Sequence, residues 1–485
     1  MKKEFSKADF LRVFTIVVFI ILASIDNSVL DMASSVYYFM KPAFVSAPIT
    51  PEKLAEMEIY LGFVNSLLIW IVAGLALYWG YLGDKGNRKR LLLIGTAIWS
   101  ASLAFTPLVF NIISWLIVQC FAGVGLACIA SVGFSVIVDF VSPERRGLAL
   151  SFWGLSQGVG TILGKGLAAV IVKEPSQWWW PFFSFSIIGF IMIGLYFFTL
   201  DPKRGATESE LKNTDYDYKI KRADLGFILR KRTNLALMLQ GLTAQVVWGS
   251  LTWLPFVFTQ KVVDQGLPQS SGGLVGNIIA GLFGIGGIFS ILFGALGDRL
   301  QKKTLKARPL ISAVTALAGI PLFMVMLLVP FDLSAIVGVT GTFPLIGALL
   351  NQLVVNPLFA LMFWCSIAAA AFMNASSPNW FALIGDVNLP EHRGTVFGLG
   401  NLVNGIGRGI GSIVLPVIST AFLVYYPNPW NYLWSLVVVQ LFFIPTGICY
   451  WYACRHVEHD YMEVRTILAE RAATSKANRD EKPAA

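Results

Sequence analysis

Three ionisable residues stand inside long apolar stretches of the sequence: Asp26, Lys165 and Arg408. A charge within lipid is costly unless it faces a partner or a water-filled cavity, so such residues mark binding sites or ion pathways. Arginine offers a carboxylate or phosphate a two-pronged fork of donors, and lysine adds a point charge. Arg408 and Lys165 therefore predict a site for an anion. The alternatives are that each pairs with a structural partner, or that Lys165 extends outward to the membrane surface.

Asp26 has two interpretations. It is either the protonatable group that couples transport to a proton gradient or a fixed counter-ion to Lys165 or Arg408. Asp31 stands nearer the end of the same stretch and is a weaker candidate for coupling. Gln157 and Gln245 are candidates for contacting the substrate, although a hydrogen bond between helices is the simpler role for each.

The stretches that carry these residues are long enough to cross a membrane. Apolar residues make up 56% of the 485 residues and charged residues 13%, too few to cover a surface that faces water. Because a spanning helix needs about 20 mostly apolar residues, the sequence predicts an all-α membrane protein with twelve spans. They are residues 11–39, 59–82, 91–110, 115–140, 148–172, 179–200, 235–262, 274–296, 309–330, 353–384, 394–422 and 433–452.

The longest polar stretch divides these spans into six and six. We predict a first six-helix bundle at 1–200, a cytoplasmic linker at 201–234, a second bundle at 235–455 and a cytoplasmic tail at 456–485. The mildly apolar stretch 334–352 is expected to be an outer loop with an interfacial segment.

The positive charges favour one side of the predicted membrane. All but six of the 37 lysines and arginines lie in the termini and in loops of one side; the exceptions are Lys41, Lys53, Lys165, Lys173, Lys261 and Arg408. By the positive-inside rule both termini are cytoplasmic, and we expect a multi-pass protein of the plasma or inner membrane. This distribution explains the net charge of +9 without a nucleic-acid partner.

The two halves repeat each other in register. Residues 139–147 and 386–394 both read D-x-x-x-P-E-x-R-G, and 80–84 and 294–298 share G-x-L-G-D. At the offset of the first pair, Gly158, Gly160 and Gly164 match Gly405, Gly407 and Gly411. Duplicated six-helix halves are typical of transporters whose substrate site lies between the halves.

The loop after span two, residues 80–89, resembles the signature of the major facilitator superfamily. The resemblance implies two pseudo-symmetric six-helix bundles and a latch at the cytoplasmic ends of the helices. The residues that match the latch in the two halves are Asp84, Arg88, Asp139, Arg146, Asp298, Arg299, Asp386 and Arg393.

Further residues resemble the spinster-like branch of that superfamily, which moves lysolipids and sphingolipid phosphates. They are Asn87 and the stretches 25–27 and 123–125. The sequence differs from the branch at Gln119 and Leu126, where the branch usually has an arginine and a glutamate.

Other chemistry is not expected. The cysteines form no CxxC pair, the three histidines fall in predicted cytoplasmic segments, and no phosphate-binding loop is present. We expect no catalytic site, cofactor or metal.

The predicted function is therefore a secondary active transporter that moves a small organic anion, or an amphipathic anionic solute, by alternating access. A lysolipid or sphingolipid transporter and a lipid scramblase are alternatives, as are a passive channel and a sensor without flux. The expected partners are an anionic small molecule, the lipid bilayer and protons, and the chain is expected to be a monomer.

Overall fold

The computed structural model describes residues 7–85, 87–133, 146–200 and 224–480. Within these ranges the regular structure is helical, and eleven helical segments are long and apolar enough to cross a membrane. One further helix, Arg146–Ile171, occupies the position of predicted span five and has a shorter apolar stretch, Gly158–Ile171. The prediction of an all-α membrane protein is confirmed.

Among the described residues, six α-helices precede the predicted linker and twelve follow it. The first six are α1 (Lys7–Phe44), α2 (Pro51–Lys85), α3 (Arg88–Ala104), α4 (Ile112–Cys128), α5 (Arg146–Ile171) and α6 (Trp180–Tyr196). Those that follow are α7 (Asp224–Arg230), α8 (Arg232–Ser250), α9 (Leu254–Val263), α10 (Gln269–Gly286), α11 (Ser290–Gln301), α12 (Ala307–Leu328), α13 (Thr342–Val355), α14 (Pro357–Asn374), α15 (Ser376–Val387), α16 (Pro390–Phe422), α17 (Trp430–Gln440) and α18 (Phe443–Asp480). The domain boundaries given above stay a prediction.

Several predicted spans are built from two helices. Span seven consists of α8 and α9, with Pro255 in the first turn of α9, where its missing N–H breaks no helical hydrogen bond. Span eight breaks between α10 and α11 at Gly286 and Gly287, and span ten breaks at Ala375. In α4 the helix continues as a π-helical turn, Ile129–Gly133.

The matched glycines of the first half hold α5 against α1. A Cβ at Gly160 would collide with the carbonyl of Ser24, and one at Gly164 with the backbone of Ser28. Ser28 Oγ also donates a hydrogen bond to the Gly160 carbonyl at 2.7 Å. The absence of side chains at these two positions allows the two backbones to approach closely, as small residues do at membrane helix interfaces.

The matched glycines of the second half likewise allow α16 to approach α8 closely. A Cβ at Gly407 would collide with the carbonyl of Leu242, and one at Gly411 with the carbonyl of Val246. The sequence repeat is thus a structural repeat: span five packs on span one as span eleven packs on span seven.

The segment 334–352 contains more helix than expected. After a short turn at Ser334–Ile336, α13 covers Thr342–Val355 and packs on α14. Phe343 and Val354 are more than 80% exposed. Large exposed apolar side chains suit a surface that faces lipid rather than water, which agrees with an interfacial position.

The last helix extends well beyond predicted span twelve. It continues without a break from Phe443 to Asp480, and residues after 456 pack on the start of α8. Asp460 Oδ2 accepts a hydrogen bond from the backbone N–H of Thr233 at 3.0 Å, and Val457 and Val464 are buried. The first part of the predicted tail is therefore packed against the second half.

Candidate functional site

Arg408 of α16 forms an ion pair with Asp31 of α1. Its Nη2 donates to Asp31 Oδ1 at 3.1 Å. The pair joins the first half of the chain to the second. The Arg408 side chain is 44% exposed and that of Asp31 is 19% exposed, so the pair borders an open space.

The second oxygen of the same carboxylate contacts α5. Thr161 Oγ1 donates to Asp31 Oδ2 at 2.5 Å. Thr161 and Arg408 occupy equivalent positions of the two repeats, because both follow the offset that relates Asp139 to Asp386. The Asp31 carboxylate thus lies between matching positions of the two halves.

Lys165 lies one helical turn beyond Thr161 on α5, on the same face of the helix. Asp31 and Arg408 are both close enough to act on its charge. The structure therefore brings Lys165 near Arg408 and Asp31, and of the two cations Arg408 is the one that forms an ion pair with Asp31.

Of the two glutamines predicted to contact the substrate, the structure shows the surroundings of one. Gln245 of α8 packs beside Gly407, the residue before Arg408. The side chain of Gln157 lies outside the described part of the chain. Thr161, which sequence reasoning missed, was detectable from the repeat offset that matches it with Arg408. Asp31 was not, because the offset carries no information about which carboxylate of α1 faces Arg408.

Asp26 lies elsewhere. It is buried, with 4% of its surface exposed, and within the described residues neither carboxylate oxygen has a hydrogen-bond partner. Cys128, the last residue of α4 before the π-helical turn, lies close enough to interact electrostatically with Asp26. Asp26 is therefore not the counter-ion of Arg408. Asp31 has that role instead. Single π-helical turns occur frequently at functional sites.

A second ion pair lies buried at the predicted outer end of the helices. Lys41 Nζ of α1 lies 2.5 Å from Glu58 Oε1 of α2 and 4.8 Å from the centre of the Phe256 ring on α9. The hydroxyl of Tyr432, at the start of α17, donates to Glu58. We call Lys41, Glu58, Phe256 and Tyr432 the outer cluster; it closes the two halves against each other.

Hydrogen bonds between α2 and α16 continue this closure toward Arg408. Asn65 Nδ2 donates to Ser412 Oγ at 2.8 Å, and Ser66 Oγ donates to the Gly409 carbonyl at 2.6 Å. Trp70 Nε1 donates to the Ile406 carbonyl at 3.2 Å. The halves are therefore joined from the outer cluster to the level of the charged site.

The two predicted latch aspartates of the second half come together through an arginine that the sequence analysis did not name. Arg308, in the first turn of α12, pairs with Asp386 and also with Asp298, the latter at 2.8 Å. Arg393 Nε donates to the Asn388 carbonyl at 3.3 Å, and Arg299 is exposed. In the first half Arg88 is buried, whereas Asp139 and the side chains of Asp84 and Arg146 lie outside the described residues.

A family model of the Major Facilitator Superfamily matches residues 20–357. The chain belongs to this superfamily. The expected major facilitator fold, with two pseudo-symmetric bundles of six spans, is confirmed.

Curated relatives of this facilitator protein support the spinster-like resemblance. Protein spinster homolog 3 of Danio rerio is 27% identical over 308 residues, covering 60% of each chain. Protein spinster homolog 1 of Xenopus laevis is 28% identical over 306 residues, covering 60% of this chain and 57% of the relative. The alignments thus span about 60% of the length of these relatives.

Solved structures of the superfamily share the fold. A bacterial homolog of the human lysosomal transporter Spinster, in an inward-facing and unoccupied conformation, aligns with a TM-score of 0.69 and 17% identity, over 94% of this chain and 99% of its own. A D-xylose-proton symporter aligns with a TM-score of 0.63 and 14% identity, over 90% and 97%.

Proposed function

We propose that this facilitator protein is a secondary transporter that moves an organic anion, or an amphipathic solute with an anionic group, by alternating access. The observation that carries the proposal is the partly exposed cluster of Arg408, Lys165 and Asp31 between helices of the two halves. A cationic pair in a space bordered by both repeats is suited to an anionic ligand that each half contacts in turn.

Binding is the first test. Thermal-shift measurements on the purified protein against carboxylates, phosphorylated metabolites and lysolipids should identify at least one stabilising anion. Arg408→Gln should abolish that stabilisation, whereas Arg455→Gln, which changes an exposed arginine of α18, should retain it. If no anion stabilises the wild-type protein, the proposal fails.

Transport is the second test. In proteoliposomes, a carrier gives saturable exchange that is stimulated by substrate on the far side. Linear flux would indicate a channel or scramblase instead. Binding without any flux would indicate a sensor.

We further propose that Asp26 is a protonatable group that couples transport to protons. Its burial without a hydrogen-bond partner among the described residues supports this, because an isolated buried carboxylate is far less costly when it is neutral. Uptake driven by an imposed pH gradient should lose its proton dependence in Asp26→Asn. Unchanged dependence would exclude the coupling role.

A lysolipid or sphingolipid phosphate is the second candidate substrate. One relative, from Danio rerio and 25% identical over 271 residues, is named as a sphingosine-1-phosphate transporter. Gln119 and Leu126, which differ from the spinster-like pattern, favour a separate specificity. Competition between lysolipids and water-soluble carboxylates for binding distinguishes the two candidates.

The orientation and assembly belong to the same proposal. Both termini are cytoplasmic, residues 201–234 link two six-helix bundles, the chain is a monomer, and Arg308 with its two aspartates forms the second-half latch. Protease accessibility of terminal tags in sealed inner-membrane vesicles tests the orientation. Light scattering of the detergent-solubilised protein tests the monomer.

A further inference from the structure

Asp31 does not saturate Arg408. The described contact uses one guanidinium nitrogen, Nη2, and 44% of the Arg408 side chain stays exposed. A guanidinium carries five N–H donors in a planar fork. Asp31 therefore contacts one nitrogen of Arg408 and leaves the other N–H donors of this partly exposed side chain available to a second oxyanion.

Asp31 is itself held in place. Its Oδ2 accepts the Thr161 hydroxyl at 2.5 Å while its Oδ1 accepts from Arg408. With each oxygen bound to a different half, the carboxylate is positioned to remain when a ligand arrives. A ligand then adds to the free donors of Arg408 and to Lys165 instead of replacing Asp31.

The charges of this cluster do not cancel. Lys165 and Arg408 are two cations, and Asp31 is one anion that pairs with Arg408 and lies near Lys165. The site thus has one positive charge in excess. A singly charged oxyanion balances it, whereas a doubly charged one leaves an uncompensated negative charge beside Asp31, which is costly away from bulk water.

We propose that Asp31 is a specificity-determining residue that makes the site select singly charged oxyanions, such as carboxylates and phosphodiesters, over doubly charged phosphate monoesters. This inference rests on the proposed function, since it concerns which anion the same site accepts.

The test compares two probes that differ by one methyl group and one charge. Phenyl phosphate is a dianion at pH 8, because the second pKa of a phosphate monoester is about 6; methyl phenyl phosphate is a monoanion. Benzoate supplies the carboxylate. Calorimetric titration of the wild-type protein should show tighter binding of methyl phenyl phosphate and benzoate than of phenyl phosphate. Asp31→Asn should shift the preference toward phenyl phosphate by about tenfold, as expected for removing one charge near the ligand.

Thr161→Val is the matched control. It removes the hydrogen bond to Asp31 but keeps all three charges, so it should weaken binding of the two phosphate probes by the same factor and leave their ratio unchanged. If Asp31→Asn fails to fold, Asp31→Glu, which retains the charge, should retain the wild-type order.

The outcomes separate the two proposals. A wild-type protein that prefers phenyl phosphate, or an unchanged ratio in Asp31→Asn, overturns the selectivity while leaving an anion transporter. A wild-type protein that binds none of the three probes overturns the selectivity, and a negative screen of the other anions then removes the proposed function as well.

Discussion

The Glu58 carboxylate of α2 accepts the hydroxyl of Tyr432 of α17, with oxygen–oxygen distances of 2.8 and 2.9 Å. The same carboxylate pairs with Lys41, and both charged residues are buried. Tyr432 belongs to the second half of the chain, whereas Lys41 and Glu58 belong to the first. Any movement that separates the halves at this end must therefore break the hydrogen bonds to Tyr432.

Glu58→Gln should favour opening of the outer end. Opening breaks the hydrogen bonds from Tyr432 but not the Lys41–Glu58 pair, which lies within the first half. A hydrogen bond to a charged group contributes about 1.5–3 kcal/mol, so weakening it should alter the open–closed equilibrium about tenfold. Spin labels at Glu52 and Asn428, both exposed near this end, report the separation of the halves in a variant without native cysteines. Glu58→Gln should add a population at longer distance.

The control for this experiment lies half a turn away. Glu56 also accepts a tyrosine hydroxyl, that of Tyr60 at 2.6 Å, but the pair is exposed and within α2. Glu56→Gln should therefore leave the distance distribution as in the wild type. Equal distributions for Glu58→Gln and the wild type would show that the outer cluster does not hold the halves together.

The second-half latch predicts a ranking of stabilities. Arg308 pairs with Asp386, which is 25% exposed, and with Asp298, which is 71% exposed. Exposed ion pairs contribute little, whereas a hydrogen bond between charged groups that are partly buried contributes about 2 kcal/mol. Asp386→Asn should thus lower the unfolding temperature more than Asp298→Asn.

Arginine variants test the same latch from the other side. Arg308→Gln should destabilise the protein more than Arg299→Gln, because Arg308 binds both aspartates and Arg299 is exposed. Thermal unfolding of all four variants in one detergent supplies the comparison. An equal loss for Arg308 and Arg299 would contradict the assignment.

Alanine in place of the repeat glycines should destabilise the protein, although the same substitution usually stabilises a helix. Alanine normally stabilises a helix relative to glycine by about 1 kcal/mol. At Gly160 and Gly407 the added methyl would collide with a backbone carbonyl of the neighbouring helix, and overpacking of this kind costs about 1–3 kcal/mol. Both variants should therefore unfold at lower temperature.

Gly166 on α5 is the control for these substitutions. A Cβ there meets nothing within 4 Å, so Gly166→Ala should unfold at the same or a higher temperature. Destabilisation by Gly166→Ala that matched the effect of Gly160→Ala would mean that helix flexibility, and not the packing of α1 on α5, is what these glycines supply.

The limits of sequence reasoning are visible on α1. The apolar stretches and the repeat predicted the spans, and the rarity of charge within them identified Arg408 and Lys165. Of the two interpretations of Asp26, the counter-ion to Arg408 does not hold, because Arg408 pairs with Asp31 and the partner depends on which helix face meets α5 and α16. Five positions rotate a side chain by about 140° around a helix, so only one of the two carboxylates can point toward Arg408.

Contacts between residues of different helices set a second limit. Arg308 stands ten residues after Asp298 and far from Asp386 in sequence, and no local pattern distinguishes it from the basic residues around it. Only the folded arrangement of α11, α12 and α15 selects it as the bridge. The packing of the first part of the tail on α8 was not predicted for the same reason, because the contact of Asp460 with Thr233 joins residues far apart in sequence.

This packing predicts where the chain can be shortened. Asp460 accepts the N–H of Thr233 in the first turn of α8, where a carboxylate satisfies a free donor and the positive end of the helix dipole. Glu463 lies 3.3 Å from the buried Lys231.

Ending the chain after residue 470 keeps these contacts and should change the unfolding temperature little. Ending it after residue 455 removes them and exposes Lys231, and should lower that temperature by several degrees. Asp460→Ala removes only the acceptor of the Thr233 N–H: a loss of about 1 kcal/mol is expected, and an unfolding temperature equal to that of the wild type would contradict the docking of α18 on α8.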